Sequence, residues 1–369
     1  MYFTGSPGKP DSEWPASVTA AWPNGALGLV AQPRTPILAL CPFGTFHDRT
    51  DIMTFLFVLG GLIALVAGGD LLVRGAVNLA RSLSVPPLVI GLTLVGFGTS
   101  APELVTSLQA ALSGSPGLAV GNVVGSNIGN VQLILGVAAL LAPIAVDTRA
   151  LWRDGAVLAG ATALGMWAMT QGTIGRATGA VFVLALVAYV FTTLVLERRR
   201  ASETAAIYTA EADLLAQHPA RTGRDALLTI AGLVLTVLGA RFLVQGAVGI
   251  AASMGVSETV IGLTIVAIGT SMPELVTSVM AVRRGEGAVA LGNVIGSNVF
   301  NLLGILGITA LVVPIQVPAQ ILNVDIWVMA AATVALLVFA TTGARVSRRE
   351  AGALLAAYGA YMGWLLITA

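Results

Sequence analysis

Two glutamates stand inside apolar stretches that are long enough to cross a lipid bilayer. Glu103 lies in "GFGTSAPELVTS" (residues 96–107), and Glu274 lies in "AIGTSMPELVTS" (residues 267–278). A charge near the middle of a span costs roughly 2.5 to 3.5 kcal/mol on insertion scales, so a carboxylate there normally faces a cavity, a partner or an ion. Because the two segments match, a hydrogen bond between helices is the less favoured explanation. We interpret the two carboxylates as cation ligands.

A proline precedes each glutamate and should interrupt its helix. Pro102 and Pro273 have no N–H, and each clashes with the carbonyl four residues earlier, which frees carbonyls nearby. Calcium and sodium take oxygen ligands. Within six residues, "GTSxPE" offers carbonyls, hydroxyls and a carboxylate. The segment therefore favours a site for a hard cation.

A second pair of matching motifs follows the glutamates. The stretches are "GNVVGSNIGN" and "GNVIGSNVFN". Ser126 and Asn130 are four residues apart, as are Ser297 and Asn301, so each pair lies on one helix face. Hydrogen bonding between helices could explain any one of these amides. Beside the glutamate helices, cation ligation becomes the favoured interpretation.

Both motifs belong to an internal repeat. Residues 91–144 align with 262–315 at a constant offset of 171 without a gap, and thirty of the fifty-four positions are identical. With five spans in each half, an odd number, the two copies must enter the membrane in opposite directions. Inverted repeats of this kind are typical of secondary transporters.

The composition is that of a polytopic membrane protein, since 56% of the 369 residues are hydrophobic and 10% are charged. We predict an all-α membrane protein with ten transmembrane helices in two inverted five-helix repeats. Asp70 and Arg74, one turn apart in the first span, predict an internal ion pair. The expected spans are 53–80, 86–112, 118–143, 151–170, 174–196, 225–252, 257–282, 287–313, 322–341 and 350–368.

The chain should divide into a first repeat at 53–196, a cytoplasmic loop at 197–224 and a second repeat at 225–369. Residues 1–52 hold seven of the sixteen prolines and no apolar run of spanning length. We expect them to be disordered, or to be a non-native extension upstream of a start at Met53. With ten spans, the arginines near span ends fall almost entirely on one side, which places the long loop in the cytoplasm.

Several other kinds of chemistry are disfavoured. Cys41 is the only cysteine, and both histidines, His47 and His218, lie outside the apolar runs, which argues against disulfides, haem and zinc. An intramembrane protease would need a serine with a histidine or lysine base, or paired aspartates, inside the membrane. A channel is compatible with the residues, but broken inverted helices favour alternating access. We expect neither an enzyme nor a cofactor.

The segments "GTSAPELVTS" and "GTSMPELVTS", each followed by "GNVxGSN", resemble the two alpha repeats of the calcium/cation antiporters. Over residues 53–369 the pattern is similar to the prokaryotic sodium/calcium exchangers. The resemblance implies a diamond of four ion sites between the second, third, seventh and eighth spans. By position it implies these calcium ligands: Glu103, Glu274 and the carbonyls of Thr99 and Thr270. The implied sodium sites add Ser100, Ser126, Ser271, Ser297, Asn130, Asn301 and the carbonyls of Gly96 and Ala267.

The function that the resemblance implies is secondary active antiport of sodium against calcium by alternating access, with the first and sixth spans as a sliding pair. A proton-coupled exchanger is the alternative. That branch typically has an acidic residue shortly after its Gly-Asn pair, and neither "GNVVG" nor "GNVIG" has one. Nothing in the sequence suggests potassium coupling, because Asn301 stands where some relatives have Asp, potassium-dependent exchangers among them. The expected partners are transported calcium and sodium and the bilayer of a prokaryotic inner membrane, without nucleic acid, and we expect a functional monomer.

Overall fold

The computed structural model describes residues 50–83, 87–215, 222–253 and 267–368, and this part of the chain is almost entirely helical. Six continuous helical stretches of the described residues, some of them containing a π-helix, are long and apolar enough to cross a membrane. A seventh candidate is a pair of helices, Leu88–Thr99 and Ala101–Leu112, bent by 42°. Helix is present in the described part of each of the ten predicted spans. Residues 1–49 of the segment expected to be disordered lie outside the described residues, and residues 50–52 form the first turn of α1.

The first half of the chain begins with α1 (Thr50–Ser82), which leads into a segmented second span. The helices of this half are α2 (Pro87–Ile90), a π-helix (Gly91–Val95), α3 (Gly96–Thr99), α4 (Ala101–Leu112), α5 (Pro116–Gly129), a π-helix (Asn130–Leu135), α6 (Gly136–Leu141), α7 (Thr148–Thr170) and α8 (Arg176–Leu215). Two short strands, β1 (Ile144–Ala145) and β2 (Thr173–Ile174), lie between them.

The second half repeats this order. Its helices are α9 (Thr222–Ser253), α10 (Ala267–Thr270), α11 (Met272–Arg283), α12 (Gly287–Val299), a π-helix (Phe300–Ile305), α13 (Leu306–Val312), a π-helix (Ile321–Asp325), α14 (Ile326–Thr341), a 3₁₀ turn (Thr342–Ala344) and α15 (Arg348–Thr368). Its strands are β3 (Ile315–Gln316) and β4 (Arg345–Val346). The all-α prediction thus holds apart from four strands of two residues each.

The long polar segment differs from the predicted loop at 197–224. Helix α8 continues to Leu215 and α9 begins at Thr222, so most of that segment is helical. Residues 198–215 contain neither glycine nor proline and are rich in alanine and arginine, a composition that favours helix. The cytoplasmic location of this segment remains a prediction.

Helices α1 and α9 pack closely along a line of glycines. Gly61, Gly68 and Gly75 recur every seventh residue on α1. Gly61 faces Leu243 of α9 and Gly75 faces Thr229, so the two helices run antiparallel. Glycine lets the backbones approach within a distance that a side chain would prevent. The predicted pairing of the first and sixth spans is therefore present in the structure, while sliding remains a prediction.

Two short strand pairs connect the halves of the chain. Strand β1 pairs with β4, and β2 pairs with β3, both antiparallel. Beside them, Arg348 donates hydrogen bonds of 3.1 Å to the carbonyls of Leu140 and Leu141 at the end of α6. Arg176 likewise donates hydrogen bonds to the carbonyls of Leu311 (3.2 Å) and Val312 (3.4 Å) at the end of α13. A cation at a helix C-terminus stabilises the unpaired carbonyls there, so each half caps a helix of the other.

Charged residues of α1 contact the segment that joins α11 to α12. The predicted ion pair between Asp70 and Arg74 is confirmed, with Nη2 2.9 Å from Oδ2. Asp70 also pairs with Arg284, and Arg81 lies 3.2 Å from Glu286. These contacts attach α1 to the second half of the chain.

We predict that Gly68→Ala destabilises the protein, because the new Cβ would lie 2.5 Å from the backbone nitrogen of Thr236. Overpacking of this kind typically costs about 1 to 3 kcal/mol. Gly60→Ala is the matched control, since a Cβ on Gly60 meets nothing within 4 Å. Thermal unfolding of the purified protein in detergent compares the two variants. Equal melting temperatures would contradict close packing at this seam.

Candidate cation site

Both glutamates lie at breaks between helices. Glu103 is in the first turn of α4 and Glu274 in the first turn of α11, and each side chain is only 1% exposed. The breaks fall at Ser100 (φ −84°, ψ 7°) and Ser271 (φ −90°, ψ 7°), which leave the helical conformation in the same way. The predicted interruption beside each proline is therefore confirmed. The positive end of a helix dipole favours a carboxylate at this position.

The serine at each helix break hydrogen-bonds to the glutamate of the opposite repeat. A serine that precedes a helix normally accepts a hydrogen bond from its own first turn, but neither Ser100 nor Ser271 caps its helix in this way. Instead, the Ser100 hydroxyl donates to Oε1 of Glu274 at 2.8 Å. The Ser271 side chain hydrogen-bonds to Glu103, whose carboxylate also interacts electrostatically with Glu274. The two repeats thus build one site together.

Several buried oxygens of the site have no hydrogen-bond partner among the described residues. They are Oε2 of Glu103, Oε2 of Glu274, Oδ1 of Asn130 and Oδ1 of Asn301. A buried polar atom without a partner is costly, and the great majority in folded proteins are paired. Carboxylate and amide oxygens are the ligands that calcium takes in proteins. These atoms therefore fit a hard cation.

Uncharged oxygen atoms would have to supply many of the ligands of a cation bound at this site. The described residues contain no group of three or more His, Cys, Asp or Glu side chains that could hold a metal. Two carboxylates balance the charge of one divalent cation, and hydroxyl, amide and carbonyl oxygens would complete its coordination.

The segment from Gly96 to Ser100 is brought against the second repeat. Ser297 donates a hydrogen bond of 3.1 Å to the Gly96 carbonyl, and Thr99 donates to the same oxygen at 3.3 Å. The two segments can approach this closely because Gly96 has no side chain. A Cβ at this position would lie only 3.0 Å from the Ser297 nitrogen. Thr99, Ser100 and Ser297 are fully buried. Four of the predicted site residues therefore meet at this crossing.

The remaining predicted residues occupy the equivalent segments. Ser126 is buried on α5, Ala267 begins α10, and Thr270 and Ser271 are half-buried at its end. Asn130 begins a π-helix and donates 2.9 Å to the Oδ1 atom of Asn298. Asn301 lies in the matching π-helix. Such π-turns are frequent at functional sites, and the sequence periodicity gave no sign of them.

Two further asparagines contact the glutamate helices and were left out of the predicted site. Asn122 donates to the main-chain carbonyl of Glu103 at 3.3 Å and to the Ser107 hydroxyl at 2.9 Å. Asn293 makes the equivalent bonds to Glu274 and Ser278, at 3.2 Å and 2.9 Å. Their recurrence in both copies of "GNVxGSN" was the signal that could have found them.

Two buried aspartates outside the site were also not anticipated. Asp154 accepts two hydrogen bonds from Arg153, of 2.8 Å and 2.9 Å, and a longer one of 3.4 Å from Tyr189. Asp325 accepts one of 3.0 Å from Tyr361. Because these carboxylates are paired with side chains of α7, α8 and α15, they belong to the packing of the outer helices.

Broken apolar helices that bury two adjacent carboxylates and unpaired amide oxygens define a polytopic membrane protein of the cation-transporting class. The family described as "Sodium/calcium exchanger protein" matches residues 53–195 and 225–367, and the chain belongs to this family.

Almost the whole membrane region of the chain is similar to other membrane proteins. The chain is 36% identical over 341 residues to the sodium/calcium exchanger MaX1 of Methanosarcina acetivorans, covering 84% of this chain and 97% of that one. It is 34% identical over 307 residues to the inner membrane protein YrbG of Escherichia coli, covering 83% and 93%. A solved structure of the sodium-calcium exchanger NCX_Mj, soaked with sodium and calcium, superposes with a TM-score of 0.73 at 30% identity, covering 85% and 98%.

We predict that excess calcium raises the melting temperature of the purified protein, because a ligand that binds only the folded state stabilises it. The free energy of unfolding rises by about 2.7 kcal/mol when the calcium concentration is a hundred times the Kd. Glu103→Gln and Glu274→Gln should abolish the calcium-dependent shift. Asp325→Asn, which removes a carboxylate that is paired with Tyr361, should retain it. A full shift in either glutamine variant would show that calcium binds elsewhere.

Proposed function

We propose that this chain is a secondary active antiporter that exchanges sodium for calcium across the membrane by alternating access. The family is described by sodium/calcium exchange and its relative MaX1 is named a sodium/calcium exchanger, which supports cation transport across the membrane. The observation that carries the proposal is the joint site in which Ser100 of one repeat bonds the buried Glu274 of the other. A site shared by two halves changes its access when the halves move relative to each other.

The proposed calcium ligands are the carboxylates of Glu103 and Glu274 with the carbonyls of Thr99 and Thr270. Two buried carboxylates neutralise a divalent ion, which removes much of the cost of keeping both charged inside the protein. The unpaired second oxygen on each glutamate supports direct ligation. For sodium we propose Ser100, Ser126, Ser271, Ser297, Asn130, Asn301 and the carbonyls of Gly96 and Ala267.

The proposed architecture is ten spans in two inverted repeats, at 53–196 and 225–369. Opposite directions of equivalent helices support it, since α1 and α9 are antiparallel. Helices α7 and α14 are antiparallel as well, because Thr162 lies 3.4 Å from Thr333 while Gly155, earlier on α7, faces Leu337, later on α14. We place the segment at 197–224 in the cytoplasm and the protein, as a monomer, in a prokaryotic inner membrane. The name of the relative YrbG is consistent with that membrane.

The proposed moving element is the pair of α1 and α9. Their contact runs along glycines that bring the two backbones together, and the rings of Phe57 and Phe242 stack across it with centroids 5.7 Å apart. Close packing at small residues holds α1 and α9 together, so the two helices can move as one unit. Movement of this pair past the glutamate helices would open the site to one side and then to the other.

Sodium is favoured over protons as the counter-ion. Val123 and Val294 follow the two Gly-Asn pairs, where a proton-coupled relative typically has an acidic residue nearby. MaX1, which carries sodium/calcium exchange in its name, covers nearly the whole membrane region. A proton-coupled calcium exchanger is the alternative, and both would use the same two glutamates.

We predict that vesicles containing this protein and loaded with sodium take up calcium when the external sodium is removed. An imposed proton gradient without sodium should give no uptake above that of empty vesicles. Glu103→Gln and Glu274→Gln should reduce sodium-driven uptake to background, because each removes one of the two negative charges. Uptake driven by protons alone would favour the alternative, and robust exchange in either variant would contradict the proposed site.

We also predict that acid inhibits calcium uptake by competition at the two glutamates. Calcium ligands must be deprotonated, so protons and calcium compete for the same oxygens. The calcium concentration for half-maximal uptake should therefore rise as the pH falls, and saturating calcium should partly restore the rate. Because the carboxylates interact, the midpoint belongs to the pair rather than to either residue. An unchanged half-maximal concentration across the acidic range would contradict this competition.

A further inference from the structure

Asn122 and Asn293 tie the two glutamate helices to their neighbours in the same way. In each case the side-chain nitrogen has two acceptors, the main-chain carbonyl of the glutamate and the hydroxyl of a serine one turn later. An amide nitrogen has two hydrogens, held in a fixed plane. With one hydrogen on each acceptor, the donor capacity of both asparagines is fully used.

The hydrogen bonds of Asn122 and Asn293 fall on the helix turns that carry the two glutamates. The glutamates stand in the first turn after a helix break, where fewer backbone hydrogen bonds hold the chain than in the middle of a helix. A bond to the glutamate carbonyl and another to the residue four positions on fix this turn against α5 or α12. The asparagines therefore restrain the part of each helix that carries the carboxylate.

Asn293 also connects the two repeats. Its Oδ1 atom lies 3.3 Å from the Thr99 hydroxyl oxygen, whose one hydrogen is shared between Asn293 and the Gly96 carbonyl, while the nitrogen of Asn293 bonds Glu274. Asn293 is fully buried, so water does not compete for these bonds. One side chain thus links two of the proposed calcium ligands that come from different halves of the chain.

We propose that Asn122 and Asn293 are positioning residues that hold the glutamate carboxylates at the spacing calcium requires, and that they thereby set the selectivity of the site for ion size. Calcium takes oxygen ligands at about 2.3 to 2.6 Å, and a larger divalent ion such as barium needs a wider arrangement. This inference rests on the proposed calcium function. Outer partners that orient metal ligands typically change metal affinity by about 10- to 100-fold when they are replaced.

The test compares calcium and barium in wild type, Asn122→Leu and Asn293→Leu. The half-maximal concentration of each ion is measured from sodium-driven uptake of calcium and from its inhibition by barium. We expect the affinity for calcium relative to barium to fall about tenfold in each variant. Thr162→Val is the matched control, because it removes a buried hydroxyl that contacts Thr333 away from the site. Its calcium-to-barium ratio should equal that of wild type.

Milder variants keep the test decisive if either leucine variant fails to fold. Ser107→Ala and Ser278→Ala each remove one acceptor of the same asparagines and should lower the ratio in the same direction by a smaller factor. If Ser278 acts through Asn293, the double variant Asn293→Leu with Ser278→Ala should match Asn293→Leu alone rather than add to it.

The experiment distinguishes failure of the proposed function from failure of the positioning role. Wild-type protein that takes up no calcium would overturn the proposed function. Wild-type protein that exchanges calcium, together with serine and asparagine variants whose calcium-to-barium ratio is unchanged, would overturn only the positioning role. A purely structural role for the asparagines would lower the yield of folded protein and leave this ratio as it is in wild type.

Discussion

Glu103 and Glu274 place two carboxyl groups close together in the interior of a membrane protein, where like charges repel, and the surrounding structure is arranged around that pair. Each stands at the positive end of a short helix and accepts a hydrogen bond from a serine of the other repeat. One oxygen on each remains without a partner among the described residues. Helix dipoles and hydroxyls offset only part of the cost of two buried charges, so a bound cation is the natural complement.

The close approach of helices that creates this site depends on small residues. Gly96 and Gly296 allow the second and eighth spans to touch, and a Cβ on Gly296 would overlap the Leu92 carbonyl. Without that approach, the serine of one repeat could not reach the glutamate of the other. The same principle acts between α1 and α9, where a line of glycines brings the two backbones together. Close packing at small residues thus brings the candidate ligands together in one place and joins α1 to α9 in another.

The halves of the chain are also joined outside the site. Strand pairs link them, and Arg176 and Arg348 each cap a helix of the opposite half. These contacts repeat the exchange made by the serines and glutamates, in which one half supplies a group that the other needs. A candidate cation site that requires both halves therefore forms only when both halves have folded and packed together.

The sequence by itself determined the apolar spans, the repeat, the two glutamates and the helix breaks, because hydrophobic runs and proline sterics act between residues close in the chain. It did not show that Ser100 bonds Glu274, that Asn293 links Thr99 to that glutamate, or that π-turns begin near Asn130 and Asn301. Nor did polarity reveal that α8 continues to Leu215. The contacts at the site join residues that lie 174 and 194 positions apart. Only the packing of one repeat against the other decides which of these side chains meet.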